Sequence, residues 1–265
     1  MTEGRRTSLL ERSAVLRGAG ENMSRIAIPS SIEAAPVAAR PLLEAVQKKL
    51  GGAPNMFRAI ANSPAALEGY LALDSALSRS SLDARTRQRI ALAVAERNGC
   101  DYCLSAHAFI GKNVGLSDAQ IHAARHAQAE DPTASAAVAL AAEVVDTRGQ
   151  VSAETLQRAR AAGLGDREVI DVVALVALNT LTNFVNGVVQ TEVDFPRLSA
   201  HAAYDGLCAV AVSMGERVPA DAVSKSYHGG RLYRFSSADA KAMFDADPTS
   251  FVAKADARWS GGLGR

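Results

Sequence analysis

With 265 residues, 48% of them hydrophobic and 22% charged, the chain is long enough for one large domain or two smaller ones, each with a real core. A formal net charge of +1 offers no bulk attraction to a nucleic acid or a membrane surface. Three cysteines are too few for a disulfide framework at this size, so a reducing, cytoplasmic setting is expected, with one Cys-x-x-Cys pair kept for reactivity.

Residues 1–25 are polar, arginine-bearing and without a sustained period, and read as a disordered extension with no signal peptide. Met23-Ser24-Arg25-Ile26 resembles a native start. From Pro41 to Arg197 the pattern is helical almost throughout, rich in alanine and leucine and poor in strand-like alternation. One helix opens at Leu42 and stops at Gly51-Gly52. Ser63-Pro64 signals the start of another, and a third runs from Leu82 to Arg97 and ends at Asn98-Gly99. The next begins around Cys100-Asp101 and continues to about Asn113, after which Gly115-Leu116-Ser117-Asp118 supplies a stop and a fresh cap. Helices near 133–148, 152–162 and 166–190 follow, with the brief loops of a compact bundle. The last is very apolar, yet Asn179, Thr180, Thr182, Asn183 and Asn186 interrupt it, which favours a buried helix over a lipid-facing span.

After Pro196 glycine and aromatic residues rise. Tyr227 to Phe235 reads as a hairpin, Ser237 to Asp245 as a helix capped by Ser236 or Ser237, and Asp247-Pro248 as its break. The expected organisation is an all-α domain over 26–200 and a small α+β unit over 201–265, the latter small enough to need support from elsewhere.

The chemistry concentrates in Cys100-Asp101-Tyr102-Cys103-Leu104-Ser105-Ala106-His107. A thiol reacts as thiolate, so its pKa of about 8.5 must fall. Cysteines in the first turn of a helix gain from the helix dipole, and His107, four residues after Cys103, shares its face and can take its proton. A sulfenic acid on one sulfur can be captured by the other as a disulfide. Cys103 is the peroxidatic candidate because it is nearer the base, and Cys100 the resolving thiol. Half a zinc site and a pair of buried core cysteines are the competing readings; no second cysteine pair accompanies the first.

The run Arg87 to His107, with Pro54-Asn55-Met56-Phe57-Arg58, Gly115-Leu116-Ser117 and Thr191-Glu192-Val193-Asp194-Phe195-Pro196, resembles the AhpD-like, carboxymuconolactone decarboxylase-type superfamily over about residues 30–197. The resemblance implies an all-α fold, homo-oligomers and peroxide reduction through the dithiol. It also implies a relay glutamate twelve residues before the first cysteine. Here that position is Gln88, and an amide cannot accept a proton at neutral pH. Glu96 is a candidate substitute, against the bland reading of a solvated carboxylate near a helix end. Tyr102 is a candidate donor to the reacting oxygen, with packing the simpler role. Asn179, Asn183 and Asn186 form a polar stripe expected at a subunit interface or beside the site, against the favoured plainer reading of a purely structural interhelical network. His122 and His126 stand at i, i+4, but no third ligand is evident in the sequence, and an exposed helix face is the expected reading over a metal site.

Residues 204–252 resemble a YHS domain through Cys208, Tyr227-His228, Gly230, Tyr233, Phe235-Ser236-Ser237, Phe244 and Asp247-Pro248. Two of that pattern's cysteine positions hold Ser236 and Ala240, which leaves too few soft ligands for a metal. A degenerate packing or partner-binding module is expected, with Cys208 a small buried hydrophobe.

The sequence therefore points to a dithiol peroxidase acting on hydroperoxides. It has no flavin, haem or nucleotide fingerprint, so no cofactor is expected and a protein or small thiol is the expected reductant. A non-catalytic redox sensor is the second reading, and a lactone decarboxylase, which needs no Cys-x-x-Cys pair, the third.

Overall fold

A computed structural model describes residues 24–221, 223–229 and 231–263. The expected extension therefore lies, up to residue 23, outside the described residues, as does Gly230. Nine helices build the first unit: α1 (Arg40–Leu50), α2 (Asn55–Ile60), α3 (Pro64–Leu77), α4 (Ala84–Arg97), α5 (Asp101–Asn113), α6 (Asp118–Arg125), α7 (Pro132–Thr147), α8 (Ala153–Ala161) and α9 (Asp166–Val189).

Capping chemistry sets their boundaries. Ser63 Oγ accepts from Ala66 N with Pro64 in the first turn, Asp83 caps α4 through Thr86 N, and Ser117 and Gln120 form a reciprocal capping box on α6. The start of α4 lies two residues beyond Leu82 because Asp83 is the cap. The short helix α2 has no counterpart in the sequence pattern; a single turn and a half after Pro54 is too brief to display a period.

Helix α4 is the hub of this unit. Its residues Ile90 to Ala95 are all buried, with Leu92 and Ala95 facing α5 and α6, and Ile90, Ala93 and Val94 facing α7 and α9. Two apolar clusters thus meet across one helix, which explains its continuous apolar run. By length and composition α9 could cross a membrane, but half of its most apolar window is buried against the other helices. Its opposite face leaves Ile170, Val173, Leu181, Phe184 and Val188 exposed along the whole helix.

A second unit follows, with a short helix α10 (Ala209–Met214), an antiparallel hairpin of β1 (Lys225–His228) and β2 (Arg231–Arg234), then α11 (Ala238–Ala246) and α12 (Pro248–Arg258). The hairpin pairs Tyr227 with Leu232 and His228 with Arg231. Asp247-Pro248 ends α11 as expected, and it also opens α12: proline fits the first helical turn, and Asp247 caps it through Ser250 N. Tyr204, Cys208, Val212, Tyr233, Phe235 and Phe244 form this unit's own core, while Leu232 packs into the core of the helical unit.

Candidate active site

Cys100 is the N-cap of α5, and its Sγ accepts from Cys103 N at 3.2 Å. The two cysteines, with Cα atoms 5.3 Å apart, are joined as a disulfide. Both are buried. Positive φ at Gly99 lets the chain turn between α4 and α5 so that the Cys100 sulfur meets the free amides of the new helix.

His107 is one turn beyond Cys103 and half-buried. Its Nδ1 lies 2.9 Å from Gln88 Oε1, so the amide oxygen accepts the Nδ1 proton and Nε2 remains as the basic nitrogen. Burial pushes the His107 pKa down to about 4, and the charge of Asp74 on α3 opposes this only in part. The ring is therefore neutral at pH 7. Asp74 carries no motif signal, because it stands on a different helix, far from His107 in sequence.

Glu96 is turned away from the cysteines. It is buried and ion-paired with Arg125 Nε at 2.7 Å, and its other oxygen receives His201. Tyr102 Oη accepts from Met56 N at 3.1 Å, and its ring stacks edge-on against Phe195. Burial raises the Tyr102 pKa far above that of a free phenol.

A cavity of about 540 Å³ opens beside the pair, lined by Cys100, Tyr102, Asn183, Asn186, Thr191 and Tyr227 among others. The asparagine stripe of α9 lies here. Asn186 Nδ2 donates to Cys103 Sγ at 3.3 Å, and Asn183 Oδ1 accepts from Asn98 Nδ2 at 2.9 Å, whereas Asn179 bonds back to Leu175 O within its own helix. Three buried polar atoms at this cavity have no protein partner: Asn183 Nδ2, Asn186 Oδ1 and Thr191 Oγ1. Such atoms cost free energy unless something bonds them.

The second unit forms one wall. Lys225 Nζ donates to Gly99 O at 2.7 Å, Arg234 Nη2 contacts both Asp101 carboxylate oxygens at 3.1 Å, and Tyr227 lies against Gly99. Asp101 also accepts from Ala200 N at 2.9 Å. None of these long-range partners has a local sequence signature. Cys208 is buried in the second unit's core, away from the pair. His228 and Thr249 Oγ1 are 3.4 Å apart on that unit's surface.

Residues 64–146 match the model of the carboxymuconolactone decarboxylase family. No protein of curated function matches the sequence closely enough to compare. Among solved structures, a peroxidase-related protein from Ralstonia eutropha JMP134, described as an alkylhydroperoxidase AhpD core, is 24% identical with a TM-score of 0.59. That match covers 65% of this chain and 93% of the other. A peroxidase-related protein from Silicibacter sp. TM1040 is 21% identical with a TM-score of 0.57, covering 66% and 93%. The debrominase Bmp8, solved with 2,3,4-tribromopyrrole, is 18% identical with a TM-score of 0.56, covering 64% and 94%. These structures share the fold of the helical unit, and the family match spans the helices that carry Cys100, Cys103 and His107. The helical unit of this chain is thus similar over residues 64–146 to the carboxymuconolactone decarboxylase family and shares its fold with AhpD-like structures.

Proposed function

We propose that the chain is a dithiol oxidoreductase that reduces hydroperoxides through Cys100 and Cys103. The observation that carries this reading is the bonded cysteine pair at the N-terminus of α5, beside a cavity where Asn183 Nδ2 and Asn186 Oδ1 are left without partners. In the reduced protein His107 Nε2 takes the Cys103 proton, and Asn186 Nδ2 stabilises the thiolate. The thiolate attacks the distal oxygen of the hydroperoxide; the O–O bond breaks, and the departing alkoxide is protonated to the alcohol. Cys103 is left as sulfenic acid. Cys100 thiolate then attacks Cys103 Sγ and expels hydroxide, which leaves as water, and the disulfide closes. An external dithiol or two thiols restore the reduced pair. Cys100 lines the cavity and is the sulfur an incoming thiol reaches first. Asn183 Nδ2 and Asn186 Oδ1 offer a donor and an acceptor that suit a hydroperoxyl group.

The apolar stripe on α9, with Ile170 66% and Phe184 61% exposed, favours a homo-oligomer in which a second copy covers it. Phe184 and Val188 also line the cavity, so that copy would border the site.

The test is hydroperoxide consumption with a thiol reductant by the wild type, Cys103→Ser and Cys100→Ser, with the disulfide read by mass spectrometry. Turnover lost in Cys103→Ser and a persistent sulfenic acid in Cys100→Ser are the expected results. A disulfide that forms without turnover would instead favour a redox sensor. Gln88 in the relay position and the second unit's grip on Gly99 and Asp101 are the observations that favour that second reading.

A further inference from the structure

On another face of the molecule three imidazoles converge. His122 lies in α6, His126 is that helix's C-cap, and His201 comes from the linker after α9, 75 or more residues later. Ring centroids are 4.7 Å apart for His122 and His126, 4.8 Å for His126 and His201, and 5.9 Å for His122 and His201. One nitrogen from each lies within 4.8 Å of the other two. A zinc–nitrogen bond of about 2.0–2.1 Å requires nitrogens about 3.3 Å apart in a tetrahedral site, so the rings must close further. All three are exposed, so side-chain rotation can supply the movement.

The support behind His201 is built like that of a metal ligand. Its backbone N–H donates to Glu96 Oε1, and its Nδ1 lies 3.1 Å from the same oxygen and 3.0 Å from Arg125 Nη2, which leaves Nε2 free. Glu96 is itself buried and held by Arg125, and Arg125 Nη2 also donates to Ser199 O at 2.6 Å. When Nδ1 donates to Glu96 Oε1 rather than accepting from Arg125, Nε2 carries the lone pair that a metal needs, and a buried carboxylate in that place is the usual outer support of a bound ion. The guanidiniums nearby are each paired, Arg97 with Asp146 at 3.1 Å, Arg125 with Glu96 at 2.7 Å and Arg231 with Asp256 at 3.0 Å, and at His126 the carboxylate of Glu96 outweighs the opposing charge of Arg125.

We propose that His122, His126 and His201 form a three-histidine site for a borderline divalent cation of the zinc, nickel or copper(II) class, with water in the remaining position. Imidazole suits these ions over calcium or magnesium. The ion would tie the linker at residues 199–202 to α6 and so fix the second unit over the cysteine cavity. This inference does not depend on the peroxide reading.

The test uses the full chain without a histidine tag, with Cys100 and Cys103 oxidised so that they cannot compete. Zinc binding is followed by calorimetry, and cobalt(II) by its visible absorption. One equivalent is expected to bind, and His122→Ala, His126→Ala and His201→Ala are each expected to weaken binding at least about tenfold. Zinc is also expected to slow proteolysis of the linker in the wild type and not in His201→Ala. Unchanged affinity in His201→Ala would reduce the site to a helical histidine pair and refute the proposal. Binding that disappears in the Cys100→Ser/Cys103→Ser chain, or that no single histidine substitution weakens, would also overturn it.

Discussion

Gly99 joins the two helices that carry the candidate site, with φ at +56°, and a Cβ placed on it would overlap Tyr227 Oη and lie 2.8 Å from Cζ of the same ring. Gly99→Ala therefore carries two separable penalties. The left-handed backbone costs an alanine about 1–2 kcal/mol. Displacing the tyrosine, and with it the hairpin, adds about 1–3 kcal/mol of overpacking. Removing the ring by Tyr227→Ala abolishes the second penalty and leaves the first, since the remaining neighbour, Leu232 Cδ2 at 3.3 Å, needs only a small shift. A double-mutant cycle of urea unfolding is expected to give a coupling of about 1–3 kcal/mol, with the double variant more stable than the sum of the two single changes predicts. Reduction of the Cys100–Cys103 disulfide by a small thiol should also be faster in Gly99→Ala, because the displaced hairpin uncovers Cys100. Equal costs for Gly99→Ala with and without Tyr227 would refute this account of how the second unit rests on the cysteine turn.

His107 ties stability to pH. With a folded pKa near 4 against 6.5 unfolded, the unfolded chain binds the extra proton between those values, so stability falls as pH is lowered through that window, by about 3 kcal/mol; the slope should become markedly shallower in His107→Gln by denaturant titration, with the lowered pKa of His126 leaving part of it. Gln88→Glu places a carboxylate on His107 Nδ1 and is expected to raise peroxide turnover roughly tenfold or more, and an unchanged rate would remove Gln88 from the relay. Asn186→Ala deletes the donor to Cys103 Sγ, worth about 1 kcal/mol. In a Cys100→Ser background the Cys103 thiol should then titrate higher in the pH profile of alkylation, and an identical profile would deny the contact a role. Phe184→Glu is expected to lower the sedimenting mass, and a wild type that sediments as a monomer would refute the covered stripe on α9.

Much of the helical unit was legible because its signals are local. Ser63-Pro64, Asn98-Gly99 and the Ser117 box mark helix ends by hydrogen bonds made within four residues, and the Cys-x-x-Cys-x-x-x-His spacing puts sulfur and imidazole on one face whatever the surroundings. The hairpin around Gly229 was legible for the same reason. Local pattern failed where two rules compete at one residue: Asp247-Pro248 stops one helix and starts the next, and only the first was predicted.

Contacts between distant segments carry no such signal. Glu96 follows the helix face that leads toward the cysteines, yet Arg125 and His201 take its carboxylate, because the loop at Gly99 redirects the chain and a buried charge goes to the nearest cation. His201 completes a cluster with His122 and His126 only because the linker doubles back over α6. Asp101 meets Arg234, and Gly99 meets Lys225 and Tyr227, across more than 120 residues. The sequence by itself determined the helices, their caps and the order of the reactive groups, since those depend on near neighbours. Only the tertiary structure decided which acids, amides and cations surround the cysteines, because burial and pairing of polar groups are settled by how whole elements pack.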